Sequence, residues 1–146
     1  LDCATGPSLR LEVPQLGAQP LLRWAYGWVM DVDYPSFGAI VIAGTRFEHD
    51  VVVEAGRVRR RKKGPSKRYR DRFGHTPLSA DEEIPWSAKR LVVGTGADGR
   101  LPIMSGGGEE AKARGVELIV LPPSEACALL RSIDEPDVNA ILHVTC

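Results

Sequence analysis

The apolar positions of the chain fall into short runs, and their spacing changes character along the sequence. Between residues 37 and 60 the period is two. Ala39-Ile40-Val41-Ile42, then Gly44-Thr45, then Phe47 to Val53 predicts a hairpin of two β-strands, and Arg57-Val58-Arg59 after Gly56 predicts a third, edge strand. From Arg90 the pattern alternates: strand Arg90 to Val93, helix around Glu109 to Arg114, strand Val116 to Leu121, helix Glu125 to Ile133, strand Ala140 to Thr145. Parallel strands joined by helical crossovers follow, so the expected fold class is α/β with a mixed central sheet, an N-terminal β-hairpin and a C-terminal βαβαβ unit. Gly115 stands where a helix C-cap belongs and Ser124 where an N-cap belongs. Ala126, Leu129, Leu130 and Ile133 give the stripe of a helix lying on a sheet.

Between these halves the breakers dominate. Gly64-Pro65-Ser66 predicts a solvated loop, because glycine and proline there oppose any regular element. Ser79-Ala80-Asp81-Glu82 has capping-box spacing and predicts a helix of one or two turns that Pro85 ends. Residues 1–33 are weakly periodic and spaced by Pro14, Gly17 and Pro20, and read as a poorly organised N-terminal extension to a single domain over 34–146. Asp2 and the scarcity of basic residues argue against a secretory signal, while Met30 before clean strand patterning marks a candidate natural start.

Charge changes the picture. The chain is formally neutral, yet ten of its nineteen Lys and Arg fall between Arg57 and Arg72, opposed only by Asp71, so this segment carries +9 and the remainder −9. So local a surplus points to an acidic protein surface or another polyanion, with Arg59, Arg60, Arg61, Lys62, Lys63, Lys67, Arg68 and Arg70 as the binding set and His75 beside them as a titratable tuner. Nucleic acid is an alternative, but Tyr69 is the segment's only aromatic and no stacking platform is legible. Cys3, Cys127 and Cys146 are odd in number and widely scattered, which argues against a disulfide framework or a structural zinc site and for a reducing, cytoplasmic setting. No apolar run approaches the ~20 residues that span a bilayer, so no membrane association is expected.

Two further candidates need weighing. Gly94-Thr95-Gly96-Ala97-Asp98-Gly99 matches a dinucleotide fingerprint after a strand, but Leu101-Pro102-Ile103 follows where an opening helix is required. The glycines then serve a sharp turn, leaving a crevice of Gly94, Thr95, Gly96, Gly99 and Arg100 near a strand end. His143 and Cys146 are the possible reactive pair, although three residues apart on a strand they point to opposite faces. Glu48 and Asp50 around His49 read as a solvated strand face, and Cys127 as a packed core residue. No cofactor or metal is implied.

Phe47-Glu48-His49-Asp50, Gly74-His75-Thr76-Pro77-Leu78-Ser79, Leu91-Val92-Val93-Gly94-Thr95-Gly96 and the terminal His143-Val144-Thr145-Cys146 together resemble the Mth-type domain proteins over about Tyr34 to Cys146. The resemblance implies a three-layer fold around a mixed sheet. It implies no established activity; animal members include an adipogenesis-associated protein and an assembly factor for mitochondrial complex I. Gly106-Gly107-Gly108 departs from the pattern, standing where a helix should start. The expected role is a non-enzymatic binding or assembly-type factor acting through the basic loop and adjoining crevice, with a small enzyme or anionic-ligand binder using the crevice as the alternative.

Overall fold

The computed structural model describes residues 31–133 and 137–145, with short backbone pairings before residue 31. Residues 1–30 of the expected N-terminal extension and Cys146 therefore lie outside the described residues, apart from the strand pairings Gln19–Pro20 (β1), Arg23–Trp24 (β2) and Gly27–Trp28 (β3), whereas Val32 and Asp33, expected in that extension, belong to a strand of the domain, with Val32 in its core. The elements that follow are β4 (Val32–Ser36), β5 (Ala39–Ile42), β6 (Thr45–Phe47), β7 (Val51–Glu54), β8 (Arg57–Arg60), a 3-10 helix (Gly64–Tyr69), α1 (Arg70–Phe73), β9 (Arg90–Thr95), α2 (Ser105–Ala113), β10 (Glu117–Leu121), α3 (Pro123–Ser132) and β11 (Val138–His143).

The larger sheet runs β1-β8-β7-β11-β9-β10, and β4-β5-β6 form a second, antiparallel sheet. In the larger sheet β11 and β10 lie parallel to β9, whereas β7 pairs antiparallel with β11 and β8 with β7, so the expected mixed α/β sheet is present. Its central strands β7, β11 and β9 are largely buried apolar runs because both of their faces are covered. Val51, Val53, Val92, Ala140 and Leu142 point to one core, shared with α3 and the smaller sheet, while Val52, Leu91, Val93 and Ile141 point to the other, shared with α2 and Leu78, Ile84 and Leu101. On α3 the buried stripe is Ala126, Cys127 and Leu130.

Three expectations need correction. Phe47 to Val53 is not one strand: the chain leaves the smaller sheet after β6, passes Glu48-His49-Asp50 and enters the larger sheet as β7. Two tight hairpins, β5-β6 and β7-β8, replace the single expected one, and each turns on an Ala-Gly pair with both residues at positive φ, Ala43-Gly44 and Ala55-Gly56, as a two-residue turn matching strand twist requires. The stretch around Pro65 is a 3-10 helix rather than an open loop, because Pro65 suits a first turn and the Ser66 hydroxyl is buried and bonded beneath it. Ser79 to Glu82 forms no helix: the Ser79 hydroxyl accepts the Asp81 amide, but the Glu82 carboxylate turns to Arg61 and Ser66 instead of back to the cap.

The α2 helix begins at Ser105 and contains all three glycines; Gly107 is buried, and a β-carbon added to it would meet the Ile103 side chain at 3.8 Å. Gly115 takes the left-handed C-terminal position expected of it, at φ 68°. The α3 helix starts at Pro123, ahead of the cap expected at Ser124.

Candidate functional site

Asp50 opens the buried run of β7 and Arg61 follows the exposed end of β8, so the hairpin brings them side by side: the Arg61 amide donates to the Asp50 carbonyl at 2.9 Å. Their side chains meet as well, with Arg61 Nη1 donating to Asp50 Oδ2 at 2.9 Å. Glu82 accepts the other side of the fork through Nε at 2.8 Å and Nη2 at 2.7 Å, and Nη2 also donates to the Pro77 carbonyl at 2.9 Å. The Arg61 side chain is 1% exposed, and every carboxylate around it is buried. Ser66 completes the cluster, its hydroxyl donating to Glu82 Oε2 at 2.5 Å with Ser79 Oγ 2.7 Å away.

His143, the last residue of β11, joins from the other side. Its Nδ1 lies 2.8 Å from Asp50 Oδ2, and Asp50 Oδ1 accepts the Val144 amide at 3.1 Å. Asp50 is thus held by an imidazole, a guanidinium and a backbone amide. Burial alone would push its carboxyl up; the His143 hydrogen bond and charge, the Val144 amide and Arg61 outweigh that and hold it at about 2. Burial likewise works against the Arg61 charge, but Glu82 and then Asp50 outweigh it and raise the guanidinium above its usual value.

Above this buried cluster lies a cavity of about 380 Å³ lined by Arg61, Lys63, Lys67, Arg70, His75, Thr76, His143 and Thr145. The 3-10 helix and α1 supply Lys67 and Arg70, and the ends of β8 and β11 supply Arg61 and His143. Lys63, Lys67 and Arg70 make no ion pair among the described residues, so their charges face the cavity with no carboxylate to neutralise them. The arrangement can accept an anion carrying more than one negative charge.

The expected binding set therefore divides. Arg61, Lys63, Lys67, Arg70 and His75 converge on the cavity, and so does His143. Arg59 instead donates to the Glu83 carbonyl, Lys62 pairs with Glu83 and Arg68 with Asp81, while Arg60 is exposed on β8. Gly94, Thr95 and Gly96 are buried, Gly99 and Arg100 are exposed, and none of the five lines the cavity. The amides of this turn are used internally: Gly99 donates to Gly96, Leu101 to Thr95, and Ala97 to the Thr145 carbonyl. Gly94 serves close strand packing, since a β-carbon there would sit 3.0 Å from the Leu142 side chain.

The expectation that Asp50 belongs to a solvated face is wrong, because it is 7% exposed and ion-paired. Reading missed both Asp50 and Glu82. The one available signal for Asp50 was its place at the head of Val51-Val52-Val53, where a carboxylate entering a buried strand needs a counter-charge. Among the described residues no cluster of three or more His, Cys, Asp or Glu could hold a metal ion, and no helix is long and apolar enough to cross a membrane.

No family model matches the chain, and no curated protein matches it. Solved structures do. The conserved hypothetical protein PH1505 from Pyrococcus horikoshii OT3 is 28% identical over 80% of this chain and 100% of its own, with a TM-score of 0.66. A structure titled MT938 is 27% identical over 76% of this chain and 94% of its own, with a TM-score of 0.57. The chain is thus similar over most of its length to a conserved hypothetical protein.

Proposed function

We propose that the protein is a Mth-type domain protein with the three-layer fold of that group, and that it binds a small, multiply charged anion, a phosphate or polycarboxylate, in the cavity above Arg61. The likeness to PH1505 and MT938 over three quarters or more of the chain supports the fold. The observation that carries the function is the set of three cations, Lys63, Lys67 and Arg70, turned into one cavity beside two histidines with no ion-pair partner among the described residues.

The same observation weighs against the flat polyanion surface expected of an assembly factor or a nucleic-acid binder. An extended polyanion is held by a continuous stripe of unneutralised cations, whereas Arg59, Lys62 and Arg68 are engaged by the protein's own Glu54, Glu83 and Asp81. The Gly94 to Gly99 turn, whose Ala97 and Gly99 amides are used internally, does not line the cavity.

Isothermal titration with inorganic phosphate, pyrophosphate and citrate tests the reading. Binding is expected to weaken about tenfold or more in Lys67→Glu or Arg70→Glu, the loss of one charge-assisted contact, and to be unchanged in Arg68→Glu. Equal losses in all three variants, or no binding of any of these anions, would overturn it.

A further inference from the structure

Resting on that reading, we propose that His143 is a phosphoryl acceptor: its Nε2 attacks the phosphorus of a small phosphate ester or acyl phosphate held in the cavity, and phosphohistidine is the covalent intermediate of a phosphoryl transfer.

Three observations converge on this ring. Its Nδ1 is committed to Asp50 at 2.8 Å, and Asp50 is itself fixed by the Val144 amide and by Arg61, so the imidazole's orientation is over-determined. With Nδ1–H given to the carboxylate, the lone pair resides on Nε2. Among the described residues that nitrogen's one hydrogen-bond partner is Thr145 Oγ1, at 3.4 Å, and both residues line the cavity. A nucleophile is therefore pre-positioned beside the cations that would neutralise a phosphoryl group. Phosphoryl transfer makes little further covalent demand on a protein, since its transition state is loose and is served by positioning and by charge around the equatorial oxygens.

The chemistry balances within the cavity. As the Nε2–P bond forms, the bond from phosphorus to the leaving oxygen breaks with its electron pair. His75, the other imidazole lining the cavity, gives that oxygen a proton. The phosphorylated ring is cationic and keeps Nδ1–H on the Asp50 carboxylate, which compensates its charge as a positioning residue. Water then attacks phosphorus and returns a proton to His75. The P–N bond breaks, and inorganic phosphate leaves with the lone pair restored to Nε2.

The test uses the wild-type protein with acetyl phosphate and with p-nitrophenyl phosphate as donors. Intact mass spectrometry is expected to show one added phosphoryl group, stable in alkali and lost in acid, which tandem fragmentation places on His143 and which excess inorganic phosphate suppresses. Asp50→Asn should slow adduct formation about tenfold or more through loss of ring orientation, with Asp50→Glu recovering part of the rate, whereas Arg68→Glu, outside the cavity, should leave it unchanged. An unlabelled protein that still binds inorganic phosphate, or a label on His75 or a lysine, would overturn the proposal and leave anion binding standing. Failure to bind inorganic phosphate as well would overturn both.

Discussion

Arg61 and Lys62 are neighbours in one run of cations, and they live in different physical regimes. The Arg61 guanidinium is out of water and held by two buried carboxylates and a carbonyl. The Lys62 side chain is 68% exposed and meets a Glu83 side chain that is 63% exposed. Charge density along the sequence treats them alike. The difference lies in what each does for the cavity: Arg61 closes its floor and ties β7, β8, the Ser66 turn and Glu82 together, and Lys62 faces solvent beside it. Arginine suits the inner position because its planar fork serves Asp50, Glu82 and Pro77 at once, which a lysine could not do.

The largest predicted effect follows from removing that inner charge. In Arg61→Met, Asp50 and Glu82 stay buried with their main cation gone, and the cost is about 3–5 kcal/mol of stability. Urea unfolding monitored by circular dichroism measures it. A loss no greater than that of Lys62→Met would mean that the two cations are equivalent after all.

Acid sharpens the contrast next. The Asp50 carboxyl is depressed in the folded protein from 3.8 to about 2. Its contribution is therefore fully present above the unfolded value and is lost as pH falls from about 4 through 2. At one pKa unit per 1.36 kcal/mol, the contribution is about 2 kcal/mol. The stability of Asp50→Asn should decline less steeply than wild type across that window. Parallel declines would show that other carboxylates, not Asp50, carry the acid sensitivity.

The fold was legible where local pattern and tertiary environment agree. Val92, Val93, Ile119 and Ala140 to Leu142 announce strands because a sheet covered on both faces selects apolar runs, and Gly115 announces a helix end because only its conformation is easy there. It was illegible where a side chain answers to a distant partner. Glu82 has the spacing of a capping residue, and nothing local says that Arg61, twenty-one residues earlier, will claim its carboxylate. His143 and Asp50 are separated by 93 residues, so their pairing is a property of β7 lying beside β11 and not of either segment. The basic run did announce a local concentration of cations. Only the fold could divide it into cations that face a cavity and cations neutralised at the surface.

Ser66 offers a subtler probe, because it links the two regimes. Its hydroxyl is fully buried between Glu82 and Ser79 and anchors the 3-10 helix that carries Lys67. Ser66→Ala removes a donor to a buried carboxylate and should cost about 1–2 kcal/mol. Because the anchor also sets where Lys67 and Arg70 stand, phosphate affinity should fall in the same variant, a result that a purely local hydrogen-bond loss would not give. Calorimetry on the folded fraction separates the two.

The smallest stability effects should discriminate most sharply in function. Lys62→Ser and Lys67→Ser each remove an exposed ammonium, and since exposed charges contribute little to folding, neither should move the urea midpoint measurably. Their effects on anion binding should differ. Lys67 lines the cavity and has no ion pair among the described residues, so its loss lowers phosphate affinity and flattens the salt dependence of binding; Lys62 is turned to Glu83, and its loss changes neither. Equal salt slopes in the two variants would mean that the whole basic run acts as a diffuse field, and the distinction drawn from Arg61 and Lys62 would then concern folding alone.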